Sequence, residues 1–176
     1  MSLAFPLTSN EVLVYQVVVT HGNEVNVYNY TFIINSIKNN FVNFTMIVTN
    51  ENNGSVIVNN TYVYPEDNLK VLPVNGIVFN GENFSFIGYS KYNGQNATMY
   101  KGYFVINSIK IPSTAFFVNN TLYYLNGSYD GYSVSVSLTS KYSLISSPGF
   151  GDYLIIGIIV AFIVIGVILL IKIGKI

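Results

Sequence analysis

The run YSVSVSLTS at residues 132–140 decides the fold class. Tyr132, Val134, Val136 and Leu138 alternate with Ser133, Ser135, Ser137 and Thr139. A period of two puts one set on each face of an extended strand, one toward a core and one toward water. Wound as a helix, the same apolar residues would scatter around the whole surface. The segment therefore reads as a half-buried strand of an antiparallel sheet.

The same period runs outward through the chain. VNVYNYTFIINSI at 25–37 sets Tyr28, Tyr30, Phe32 and Ile34 against Asn29 and Thr31. FVNFTMIVT at 41–49 sets Phe44, Met46 and Val48 against Asn43 and Thr45. Between such runs lie HGNE, NNG, PEDN, NGEN, YNGQ and NGSYDG, all turn chemistry. No segment before residue 150 carries the period of a long helix. The expectation is an all-β domain over residues 11–142. Ile33, Ile47 and Ile57 fall on the outward face, which predicts a sheet covered on both sides in places. That favours an antiparallel sandwich or a strongly curled sheet over a flat one. Two echoes also suggest duplication: FIINSIK at 32–38 with FVINSIK at 104–110, and VNNT at both 58 and 118. In VNNTYVYP and VNNTLYYL the strand pattern runs on through the Asn pair.

Beyond the domain, residues 143–152 (SLISSPGFGD) read as a stalk. Residues 153–171 (YLIIGIIVAFIVIGVILLI) carry no charge and, as a helix, span about 28 Å, the thickness of a bilayer core. This is a transmembrane helix by sequence. Lys172 and Lys175 in the tail 172–176 place that tail in the cytoplasm and the β-domain outside, a single-pass arrangement in the cell membrane. Residues 1–10 lack a basic start and an apolar run of signal length. Leu3-Ala4-Phe5 reads as the tail of a truncated signal, or the C-terminal helix drives export itself.

Asn-x-Ser/Thr occurs at Asn29, Asn43, Asn53, Asn59, Asn83, Asn96, Asn119 and Asn126. Chance in this composition predicts roughly three or four. All eight precede the membrane run. The expectation is N-linked glycosylation of an external domain, which explains why Asn59 and Asn119 sit in apolar, Tyr-rich runs. Charged residues are only 9% of the 176-residue chain, so glycans would supply the hydration that charge does not. Few carboxylates also mean little stability to lose in acid, suited to an acidic exterior.

Several chemistries are excluded by composition. There is no cysteine, hence no disulfide and no zinc–thiolate site. Eight basic and eight acidic residues cancel, and no basic stripe marks a nucleic-acid footprint. The lone histidine, His21, has only Glu24 nearby and reads as a turn residue. Glu66 and Asp67 are adjacent, point apart on extended chain, and belong to the turn PEDN. No nucleophile elbow or phosphate loop is present. No catalytic, metal or cofactor site is expected, and the chain does not read as an enzyme. The 15 Tyr and 12 Phe read first as core.

The Asn/Thr/Tyr-rich β-domain, dense sequons, absence of Cys and closing LIIGIIVAFIVIGVILLIKIGKI resemble small surface glycoproteins of thermoacidophilic, Sulfolobus-type archaea or their viruses. The resemblance implies a membrane-anchored extracellular glycoprotein with a structural or interaction role at the envelope: a coat, an adhesin or an accessory subunit. Its partners would be the bilayer, N-linked glycans and other envelope proteins. A viral envelope or host-membrane protein shares every feature. A lipid- or sugar-binding carrier, holding its ligand in a curled sheet against Tyr and Phe, is the third reading.

Overall fold

The structure, a computed structural model, describes residues 5–144. Nine strands follow in order: β1 (Glu11–His21), β2 (Glu24–Lys38), β3 (Phe41–Asn50), β4 (Ser55–Pro65), β5 (Gly81–Tyr92), β6 (Gln95–Ile106), β7 (Ile109–Val118), β8 (Thr121–Tyr129) and β9 (Tyr132–Ser143). They form one antiparallel sheet in the order β4-β3-β2-β1-β9-β8-β7-β6-β5. Two meanders, β1–β4 and β5–β9, are thus joined along β1 and β9. The outer edges of β4 and β5 have no strand neighbour among the described residues, so the sheet is open. The one long connection, 66–80, begins with a 3₁₀ turn at Glu66–Asn68 and links the two edges.

Asparagine sets the hairpins. Asn39-Asn40, Asn93-Gly94, Asn107-Ser108, Asn119-Asn120 and Asp130-Gly131 are two-residue connections with both φ positive. This conformation matches strand twist and is tolerated best by Gly, Asn and Asp. Much of the Asn content is therefore turn chemistry. The pair Asn119-Asn120 turns the chain, while Asn59-Asn60 runs through the middle of β4. The expectation that the strand continues holds at 58 and fails at 118. Asn126, taken with a turn in the sequence, lies within β8, and the turn comes at Asp130-Gly131.

The faces sort as the alternation predicts. Phe32, Ile34, Phe44, Val48, Val134 and Val136 are buried, and Tyr28, Tyr30, Met46, Tyr132 and Leu138 pack against that core. Each fully buried apolar side chain contributes roughly 1.5–3 kcal/mol, so a one-residue slip in any of these strands is strongly disfavoured.

The sheet curls, and the sandwich expectation is corrected. The connection 66–80 replaces a second sheet, laying Leu69, Leu72, Val74, Val78 and Phe79 over the inner face. The Phe79 ring lies 5.4 Å from Phe32 on β2 and 6.2 Å from Phe104 on β6. In a flat sheet those strands stand five spacings apart, about 24 Å. Only a strongly curled sheet brings both to one ring. Tyr15 fastens the curl, its hydroxyl donating to the Leu122 carbonyl at 2.8 Å from across the inner face. Ile33 and Ile47 are half-buried on the convex face, and Ile57 is exposed beside the β4 bulge. They need no second layer.

Residues 5–10 belong to the fold, although the sequence grouped them with a leader. Leu7 is buried, and the Asn10 N–H donates to Ile34 O at 2.6 Å. The predicted transmembrane run 153–171, the tail, and the stalk from residue 145 onward lie outside the described residues. Among the described residues no helix is long and apolar enough to cross a membrane.

The strand directions define two ends. The exit end carries Leu144 with the turns at Asn39-Asn40, Asn93-Gly94 and Asn119-Asn120. The opposite end carries the turns at Gly22-Asn23, Asn107-Ser108 and Asp130-Gly131.

Candidate functional site: an apolar cleft in the curled sheet

The connection 66–80 crosses the inner face from the exit end and leaves it at Asn80. Gly76 allows the crossing: a Cβ there would stand 2.6 Å from the Tyr100 ring. Beyond Asn80, at the opposite end, the two sides of the curl face each other without the connection between them. A cleft of about 250 Å³ remains there. Val17 and Val19 of β1, Tyr28 and Tyr30 of β2, Val48 of β3 and Val58 of β4 form one wall. Phe104 and Ile106 of β6 close it from across the curl.

The rim is polar and uncharged. Asn80 Nδ2 donates to the Tyr30 hydroxyl at 3.0 Å, and Asn80 O accepts from the Val105 N–H at 2.8 Å. Asn107 completes the mouth. Burial raises the Tyr30 phenol; the Asn80 hydrogen bond opposes the shift, and Tyr28 adds to it. Tyr30 is therefore neutral at physiological pH. No charged side chain lines the cleft among the described residues. The wall is apolar apart from the Tyr28 and Tyr30 hydroxyls. It suits an apolar segment, whose burial is favourable in proportion to its area.

Four larger hollows each include a charged side chain in their lining. One of about 580 Å³ at the exit end is lined by Asn39, Asn40, Glu66, Asp67 and Asn75 beside Phe5, Phe41 and Pro65. Another, of about 450 Å³, lies along Asn83, Lys101, Tyr103 and Thr114.

None of the eight sequon asparagines points into the core. Asn29 and Asn43 are half-buried on β2 and β3, and the other six are exposed. Asn29 Nδ2 donates to a Glu51 carboxylate oxygen, and Asn43 Oδ1 accepts from Asn35 Nδ2 at 3.0 Å. Asn53 caps its own turn, its Oδ1 accepting from the Ser55 N–H at 3.0 Å and Oγ at 2.7 Å. Asn59 lies on the β4 edge strand, Asn83 is left-handed at a β5 bulge, and Asn96 opens β6. Asn119 begins a hairpin and Asn126 lies on β8. His21 ends β1 and stacks on Tyr132 at 3.9 Å, and Glu66 and Asp67 sit in the 3₁₀ turn.

The sequence did not single out the cleft. Its walls read as ordinary strand interior, and the gap between them follows from where the crossing segment stops.

No protein-family model and no curated protein matches the chain. Among solved structures, LprF from Mycobacterium bovis aligns at 14% identity over 78% of this chain and 89% of that one, with a TM-score of 0.37. A putative outer membrane lipoprotein-sorting protein domain from Vibrio parahaemolyticus aligns at 7% identity over 82% and 89%, TM-score 0.29. A DUF1329 family protein from Desulfovibrio piger aligns at 8% identity over 81% and 89%, TM-score 0.29. Likeness at these scores carries no function across.

Proposed function

We propose that this chain is a membrane-anchored, glycan-bearing binding module of the cell exterior that holds an apolar ligand segment, such as a lipid tail, in the cleft of its curled sheet. The cleft carries this reading: eight apolar and tyrosine side chains from both halves of the sheet line about 250 Å³ at the opposite end, four of them buried and four half-buried. That volume is below the roughly 300–1,000 Å³ of sites that enclose a whole small molecule. The ligand therefore enters by one segment, with the rest outside past Asn80 and Asn107. The uncharged run 153–171 supports the anchor, and the exposed sequons support the glycans. The charge-poor composition supports an acidic exterior of the archaeal kind.

The test uses the full chain in lipid nanodiscs with a long-chain alcohol carrying a photoactivatable diazirine in its tail. Irradiation is expected to label peptides of β1, β2, β4 and β6, and Val58→Trp, which fills the cleft, is expected to remove those labels. Labelling confined to residues 153–171 would overturn the reading.

A further inference from the structure

The exposed apolar side chains at the exit end form a second surface. Phe41 opens β3 and is 50% exposed, Tyr142 near the end of β9 is 50% exposed, and Tyr89 toward the end of β5 is 80% exposed. Leu144, where the chain leaves the fold, is 46% exposed. These side chains come from β3 beside one edge, from β5 at the other edge and from β9 at the centre. The opposite end exposes Val25, Val56, Ile57 and Tyr129 to a like degree, so exposure alone does not single out the exit end. Lys38 and Lys91 stand exposed on strand ends at the exit end, while the opposite end carries Glu24, Glu51 and Asp130 together with the Lys110–Glu82 ion pair. Glu66 and Asp67 also lie at the exit end, so it is mixed in charge rather than basic.

Chain length selects the partner. From Leu144 to Tyr153 the chain spans at most about 30 Å fully extended. The strands themselves are 9–15 residues long, and twelve residues measure about 40 Å. A membrane anchor at 153–171 therefore keeps the exit end within reach of the bilayer surface. The cleft end can touch the bilayer only if the domain lies on its side. Tyr and Phe with nearby Lys is the composition of the membrane–water interface, where a ring is half-apolar and the ammonium reaches the headgroups.

We infer that the exit end is a membrane-docking surface: Phe41, Tyr89 and Tyr142 seat in the bilayer interface and hold the domain upright, with the cleft facing away from the membrane. This rests on reading residues 153–171 as the anchor. The cleft then takes ligands presented from outside the cell rather than lipid drawn from its own membrane.

The absence of cysteine makes the test direct. Phe41→Cys and Tyr89→Cys at the exit end, and Val25→Cys and Tyr129→Cys at the cleft end, each receive a nitroxide in the full chain reconstituted into phosphatidylcholine vesicles. All four native side chains are at least 50% exposed, so the labels disturb no core. Accessibility to a water-soluble nickel relaxant is expected to be at least threefold lower at 41 and 89 than at 25 and 129, with oxygen accessibility reversed. In a second arm, Phe41→Ser with Tyr89→Ser is expected to return a label at Tyr142→Cys to the aqueous value. Equal aqueous accessibility at all four sites, in protein that floats with the vesicles, overturns the docking surface and leaves the anchor standing. Protein that fails to float removes the anchor, and the docking surface with it.

Discussion

Val58-Asn59-Asn60-Thr61 and Val118-Asn119-Asn120-Thr121 share four letters and adopt different backbones. In the second, both asparagines are left-handed, with φ of 48° and 61°. In the first they are extended on an edge strand. The left-handed state costs an ordinary residue roughly 1–2 kcal/mol. Asn120→Ala is therefore expected to lower stability by about 1 kcal/mol, and Asn60→Ala by less than about 0.5 kcal/mol, in parallel denaturant melts. Equal costs would contradict the backbone assignment. The difference was not legible in the letters, because Asn suits both turn and exposed strand; tertiary pairing decides. The sequons divide on similar grounds. A transferase must reach a free side-chain amide, and those of Asn29 and Asn43 lie in side-chain hydrogen-bond networks on the sheet face. Glycopeptide mass spectrometry from the native host is expected to find higher occupancy at Asn59, Asn96, Asn119 and Asn126 than at Asn29 and Asn43.

Among the elements, the strands were the most legible and the connection 66–80 the least. β2, β3 and β9 announce themselves by alternation because each has one dry face and one wet face. The connection has no period, since a segment laid across a curled sheet buries whichever side chains meet gaps. Phe79 shows the consequence. It touches Tyr15, Tyr30, Phe32 and Phe104, and it is fully buried. Phe79→Ala is expected to cost about 3–5 kcal/mol, the largest effect of any single truncation in the connection, read by thermal and denaturant unfolding. A cost below about 1 kcal/mol would mean that the connection does not fill the curl. The echo FIINSIK/FVINSIK fails at this scale too. The first copy lies wholly within β2, whereas the second spans the β6–β7 turn. Residues that play different structural parts give no support to a duplication. The sheet edges are blunted by bulges, near Val56–Val58 on β4 and at two points on β5, which interrupt an otherwise ready template for further strands.

For the whole molecule, the curl decides what the domain can do. It was legible as one of two alternatives, because half-apolar outer positions such as Ile33 and Ile47 fit either a second layer or a bent sheet. The cleft was not legible, since it depends on where one connection ends. The curl also sets the response to pH. Burial raises the phenol of Tyr15 well above its ordinary 10.0, with Tyr123 adding to the shift, and burial raises Tyr30 as well. The folded chain thus holds these protons more tightly than the unfolded chain. Their contribution is fully present below pH 10.0 and is lost as pH rises through that value toward the raised ones. Stability is expected to fall steeply in alkali. Tyr15→Phe is expected to soften that fall, at a cost of about 1 kcal/mol at neutral pH for the lost hydrogen bond to Leu122. The most direct measurement of the central claim is native mass spectrometry of the full chain purified from its host membrane. A bound amphiphile of fixed mass is expected, retained by the native chain and lost in Val58→Trp. A native chain and a Val58→Trp chain that carry the same adducts, or none, would contradict it.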